Sequence, residues 1–194
     1  MSPTPRTAVI LGSTRPDRNC AAVADWFIEI ASERSELELN IVDLAEVALP
    51  FLDEPLSARA TAMMKLSYTH EHTRAWSDVI AAYDAFVFVV PEYNRSIPAV
   101  LKNALDFLYA EWANKPAAIV SYGAQGGARA SAQLRQILGE LHVPTIATEL
   151  NLMLYTDFEN FTEFKPASTH RSTVDFLIEQ LSVWTGAMQS VRFS

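Results

Sequence analysis

The 194-residue sequence predicts an α/β fold: a doubly wound, five-stranded parallel sheet with helices on both faces. Three observations predict it. The candidate strands are short apolar runs without polar alternation, as expected of strands buried on both sides. Each is followed by a segment whose apolar residues recur at helical spacing. Strand and helix then alternate along the chain without repeat, low-complexity tract or linker, the rhythm of right-handed crossover units. A single domain over residues 1–194 is the expected organisation.

In order, Thr7–Gly12 reads as the first strand, and Cys20–Ser32 as a helix with Val23, Phe27, Ile30 and Ala31 on one face. Leu37–Leu44 is the second strand. The stretch from Ala45 to Thr69 is long, irregular and rich in apolar residues, and carries Pro50 and Pro55. A loop of that length is functional or disordered, and its apolar content favours packing on a partner subunit or over a bound cofactor. A helix follows around Thr69–Ala82, then the third strand, Ala85–Val90. Pro98–Tyr109 is a helix striped by Leu101, Ala104, Leu105 and Leu108, and Ala117–Tyr122 is the fourth strand. Ala130, Leu134, Ile137, Leu138 and Leu141 mark the next helix, Thr145–Leu150 the fifth strand, and Ser168–Met188 a final helix carrying Val174, Leu177, Ile178 and Leu181. This order fits a sheet of the flavodoxin type, where ligands sit beyond the carboxyl ends of the strands at the switch point.

The formal net charge of -8 argues against nonspecific binding to nucleic acid or an anionic membrane, which require a basic face. No apolar run is long enough to span a bilayer, and the N-terminus lacks the pattern of a secretory signal. The one cysteine, Cys20, excludes an internal disulfide framework. A cytoplasmic enzyme or binding protein is expected, with no metal site.

Three strand-end loops carry the candidate chemistry. The first, GSTRPDRN, runs from Gly12 to Asn19 and opens a helix, whose free N–H groups suit a phosphate. Ser13 and Thr14 add hydroxyls, Arg15 and Arg18 add cations shaped for phosphate oxygens, and Asn19 can cap the helix or donate to the anion. Neither a GxGxxG fingerprint nor a Walker A lysine is present, so a terminal monophosphate is favoured. The second loop, PEYNRSIP, lies between Pro91 and Pro98. Pro91 should halt the sheet ladder and leave backbone groups free for the edge of a planar ring. Tyr93 could stack on such a ring, and Ser96 could cap the next helix. The third, SYGAQGGAR, runs from Ser121 to Arg129, and Gly123, Gly126 and Gly127 permit close backbone approach and an anion-binding concavity. Together the loops describe a phosphate clamp and two walls around a flat ring, the shape of flavin mononucleotide (FMN). Cys20 and the tryptophans Trp26, Trp76 and Trp112 read as packing, with Trp112 or Tyr109 as possible borders of a substrate pocket. His70 and His72, two apart on a helix, should point in different directions.

GSTRPDRN, PEYNRSIPAVLKNALD and SYGAQGGARA, in this order, resemble the NADPH-dependent FMN reductase family of flavin, quinone, azo-dye and chromate reductases. The resemblance covers the edge from Gly12 to about Leu134, and the PEYN segment is its most specific part. It implies bound FMN, NADPH or NADH as hydride donor, a small-molecule electron acceptor, and a homodimer or homotetramer. It implies FMN contacts from Ser13, Arg15, Arg18, Asn19 and the amide of Cys20 to the phosphate, from Pro91, Glu92, Tyr93 and Asn94 to the ring, and from Ser121, Gly123, Gly126 and Gly127 to its pyrimidine edge. Cys20 departs from the small residue that relatives often carry there. Hydride transfer needs no catalytic side chain, because the flavin itself is the reactive group. The main protein contribution expected is charge stabilisation by the Gly123–Gly127 amides. A flavodoxin-like electron carrier is the alternative, but such carriers typically hold the phosphate without arginine. A phosphate-ester hydrolase would need a nucleophile in the first loop.

Overall fold

A computed structural model describes residues 4–192. Five parallel strands, β1 (Arg6–Leu11), β2 (Glu38–Asp43), β3 (Ala85–Pro91), β4 (Ala117–Gly123) and β5 (Thr145–Met153), form one sheet in the order β2-β1-β3-β4-β5. Side chains alternate across a strand, and the sheet sorts them into two cores. Val9, Leu11, Val87, Val89, Ala118 and Val120 face Val23 and Phe27 of α1 (Cys20–Ala31) and Val174, Leu177 and Leu181 of α7 (His170–Arg192). On the other face, Ile10, Phe86, Phe88 and Ile119 meet Trp76 and Ile80 of α4 (Glu71–Ala81), Leu101 and Leu105 of α5 (Ala99–Asp106), and Leu134 and Leu138 of α6 (Ala128–Glu140). β3 is buried along its whole length because it has a strand on each side and a helical layer on each face. The expected doubly wound, flavodoxin-like sheet is therefore present.

The structure adds elements that periodicity does not reveal. Two short helices, α2 (Leu44–Val47) and α3 (Ala58–Met63), occupy the stretch read as irregular, and a small hairpin, β6 (Phe158–Glu159) and β7 (Glu163–Phe164), precedes α7. Elements of two to six residues are too short for a hydrophobic period to register. α4 starts at Glu71, so His70 lies outside the helix as its N-cap residue. The rings of His70 and His72 consequently stack, 7° from coplanar with centroids 5.2 Å apart, instead of diverging. Trp112 packs against Phe86 at 4.9 Å inside the core, and Tyr109 pairs with His142.

Pro91 ends β3 as expected, but without the loss of a ladder bond. It is the last residue of β3, in register with Tyr122, and the Glu92 amide donates to the Tyr122 carbonyl at 2.9 Å. The reason lies in the alternation of a parallel strand. Val89 accepts from Gly12 at the end of β1, and Glu92 donates toward β4. Pro91 therefore turns its missing donor toward β1, beyond that strand's last residue, where no ladder bond is lost.

Candidate active site

The loops after β1, β3 and β4 converge at the carboxyl ends of those strands. The first two are bonded to each other: the buried Ser13 hydroxyl meets the Tyr93 hydroxyl at 2.8 Å and also accepts the Arg15 amide at 3.3 Å. Arg15 lies with its guanidinium carbon 5.9 Å from the centre of the Tyr93 ring. Its side chain has no carboxylate partner among the described residues, and the positions from Thr14 to Asp17 are exposed. Arg18 is held by an ion pair with Asp43, at the end of β2, while its Nε is buried with no hydrogen-bond partner among the described residues. Asn19 precedes α1 but does not cap it; its side-chain amide donates to the Phe161 carbonyl at 3.1 Å, tying the loop to the β6–β7 hairpin. Cys20 is buried, and its thiol faces the Ser13 carbonyl at 3.7 Å. Burial pushes that thiol up, against the pull of Arg18, so Cys20 is a packed residue and not an activated nucleophile.

The second loop is a tight turn. The Tyr93 amide donates to Ser96 at 2.9 Å, and the Ser96 amide returns to Tyr93 at 3.0 Å. Asn94 at φ 50° and Arg95 at φ 72° form its left-handed centre. The amides of Glu92, Tyr93 and Ser96 are thus paired rather than free as expected, and within the loop Asn94 and Arg95, at the tip, are exposed. Ser96 caps nothing: its hydroxyl donates to Gln133 on α6 at 2.6 Å. The Glu92 carboxylate accepts from the amides of Arg129, at 3.0 Å, and Ala130, at 3.4 Å, and from the Arg129 guanidinium at 3.2 Å. It closes the N-terminus of α6, where free amides and the helix dipole favour an anion.

The third loop takes its shape from glycine. Gly126 and Gly127 lie at φ 67° and φ 74°. A Cβ on Gly127 would stand 2.8 Å from both the Ser121 Cβ and the Tyr122 amide nitrogen, and one on Gly126 would stand 2.9 Å from the Asn151 Cβ. Ser121 does not face outward. Its buried hydroxyl donates to the Gly126 carbonyl at 2.7 Å and receives the Asn151 amide at 2.8 Å. The Gly126 amide bonds back to Gly123 at 3.1 Å, so it is not among the free donors expected of this loop.

Between the first two loops and α5 lies a cavity of about 630 Å³, lined by Ser13, Thr14, Arg15, Tyr93, Pro98 and Asn103 and roofed by Leu49, Pro50 and Phe51. A second, of about 380 Å³, is lined by Arg15, Glu92, Tyr93 and Asn94. Asn103 fastens the roof: it accepts from the Leu52 amide at 3.0 Å and donates to the Pro50 carbonyl at 2.7 Å. Asp43, Asn103 and Asn151 have no local sequence pattern as supports, because each acts on a segment distant in the chain. Only the position of Asn103 in the LKNALD helix could have drawn attention to it.

Residues 5–157 match the NADPH-dependent FMN reductase family. The chain is 43% identical over 155 residues to an NAD(P)H-dependent FMN reductase of Schizosaccharomyces pombe, covering 79% of this chain and 76% of that one. It is 37% identical over 151 residues to a quinone reductase of Pseudomonas putida, covering 74% and 75%. The FerB flavoenzyme NAD(P)H:(acceptor) oxidoreductase of Paracoccus denitrificans superposes with a TM-score of 0.71 over 95% of this chain and 98% of that one, at 23% identity, which speaks for the fold.

Proposed function

The chain belongs to the NADPH-dependent FMN reductase family, and from that premise we propose that the three strand-end loops seat FMN and that the protein passes hydride equivalents from NAD(P)H to a quinone-type acceptor. That it is a flavin-dependent NAD(P)H oxidoreductase follows from its relatives; the assignment of residues is our own reading. The carrying observation is the pairing of a helix N-terminus with an uncommitted Arg15 in the wall of the cavity that Tyr93 shares. The residues fit the cofactor. The buried Nε of Arg18, unpartnered among the described residues, suits an anion, and Gly126 and Gly127 let the third loop approach without a Cβ.

Bound FMN supplies the two-electron chemistry that no side chain here could perform. Thr14, Arg15 and the first amides of α1 hold the phosphate, with Arg18 adding what Asp43 leaves unused. Ser13 and Asn19 act one step away, fixing Tyr93 and the hairpin. Pro91, Tyr93 and Asn94 form the wall beneath the ring, and Glu92 and Ser121 hold the second and third loops in shape. The amides of the Gly123–Gly127 turn other than that of Gly126 stabilise negative charge at the ring edge. Leu49, Pro50 and Phe51 give the cavity an apolar edge.

A single domain over 1–194, a cytoplasmic location and a homodimer or homotetramer complete the reading. Exposed Phe51, Leu52, Met63, Met64 and Leu66 support an interface, since apolar surface gathered in one segment marks a contact. No helix among the described residues is long and apolar enough to cross a membrane. The deciding experiment is the visible spectrum of the purified protein followed by anaerobic NADPH titration. A flavin band that bleaches is expected; a protein that takes up no FMN on soaking would overturn the reading.

A further inference from the structure

The turn after β3 is built against residue preference. Its second central residue is Arg95 at φ 72°, where glycine is favoured and a long side chain carries backbone strain. The rest of the segment is fastened: Glu92 to α6, Tyr93 to Ser13, and the Ser96 hydroxyl to Gln133. Arg95 is exposed, with no carboxylate within ion-pair distance among the described residues. The nearby cations differ, since Arg18 is committed to Asp43 and Arg129 to Glu92. Strain retained at an exposed functional edge points to a use for the side chain. In a chain of net charge -8, an anionic ligand also needs a local cation to offset the overall field.

We propose that Arg95 binds the phosphate groups of the reduced-nicotinamide donor. The inference rests on the reading that FMN occupies this edge. The donor's nicotinamide must lie on the open face of the ring, and its anionic part then extends over the exposed rim, where Arg95 stands. A guanidinium suits it, being planar, permanently charged and able to bind phosphate oxygens in pairs. Neutral quinone-type acceptors offer such a cation no comparable partner. Arg15, beside the Tyr93 ring, serves the phosphate of FMN.

The test is calorimetric titration of NADP+ and of NAD+ into FMN-loaded wild type, R95Q and R95G. Glycine suits the turn, so R95G should melt at or above the wild-type temperature, which separates loss of charge from loss of fold. Both variants should keep their flavin and bind NADP+ at least about tenfold more weakly. Unchanged NAD+ affinity would identify the 2′-phosphate as the group bound; a parallel loss for NAD+ would identify the shared pyrophosphate. Unaltered affinity for both would overturn the proposal. So would release of FMN from a folded R95Q, which would place Arg95 on the flavin's own phosphate. A wild-type protein that never takes up FMN would instead remove the reading of the site on which the inference rests.

Discussion

The hydroxyls of Ser13 and Tyr93 meet at 2.8 Å, so the loops after β1 and β3 share one hydrogen bond across the mouth of the main cavity. Tyr93→Phe keeps the ring and removes the bond. It should cost about 1 kcal/mol, a fall in melting temperature of about 2–4 °C for a chain of this size. FMN should also bind several-fold more weakly, because the phosphate loop loses its brace. Thermal melts and flavin fluorescence quenching check both effects.

Arg18 and Asp43 form a half-buried ion pair beside the phosphate loop. Asp43→Asn removes the charge and retains an oxygen for the Ala45 amide, which the carboxylate now caps. The variant should lose about 1–3 kcal/mol, since a partly buried guanidinium is left without its partner. Saturating FMN should recover much of that loss by offering the phosphate instead. Equal losses with and without FMN would show that Arg18 is purely structural.

Two glycines should respond in opposite directions. Gly127→Ala places a Cβ 2.8 Å from Ser121 and Tyr122 at a left-handed φ, and should destabilise by more than about 2 kcal/mol and release flavin. Gly139→Ala, near the end of α6 with open space around it, should stabilise by about 0.5–1 kcal/mol. Chemical denaturation of the two variants measures the contrast.

Lys115 is buried and donates to the Ile80 carbonyl at the end of α4 at 2.9 Å. Burial, with Arg192 nearby, lowers its ammonium to about 8 from 10.5, against the attraction of Asp84 and Glu111. Between those two values the unfolded chain binds more protons than the folded one, so this residue makes stability rise with pH across that window. Lys115→Met should lack that contribution. The stability difference between wild type and variant should therefore shift in favour of wild type from pH 8 upward; a difference flat with pH would contradict the assignment.

The sheet was legible because its evidence is local: Phe86 to Val90 reads as a buried strand, and Leu101, Ala104 and Leu105 read as a helix stripe, whatever their neighbours. The three loops were legible for the same reason, each being a short run of unusual residues at a strand end. What the loops' side chains do was less so. Glu92 closes a helix 37 residues away, Asn19 reaches a carbonyl 142 residues away, and Ser121 is held from Asn151. Such pairings depend on the completed fold, which brings distant carboxyl ends together. The segment holding Pro50 and Phe51 read as irregular because its order comes from Asn103 and from Glu54, whose carboxylate accepts the Thr69 and His70 amides. Burial would raise that carboxyl, but those amides outweigh it and bring it down to about 2.

The Glu92 carboxylate at the head of α6 also bears on protein engineering. Because one side chain closes that helix and anchors the β3 turn, the PEYN segment is not a portable cassette. Transplanted alone into another doubly wound sheet, it would arrive with an unpaired acid and a floppy hinge. The smallest transferable unit is the strand end together with the first turn of α6, so recombination breakpoints that keep Glu92 with Arg129 and Ala130 should outperform those that divide them.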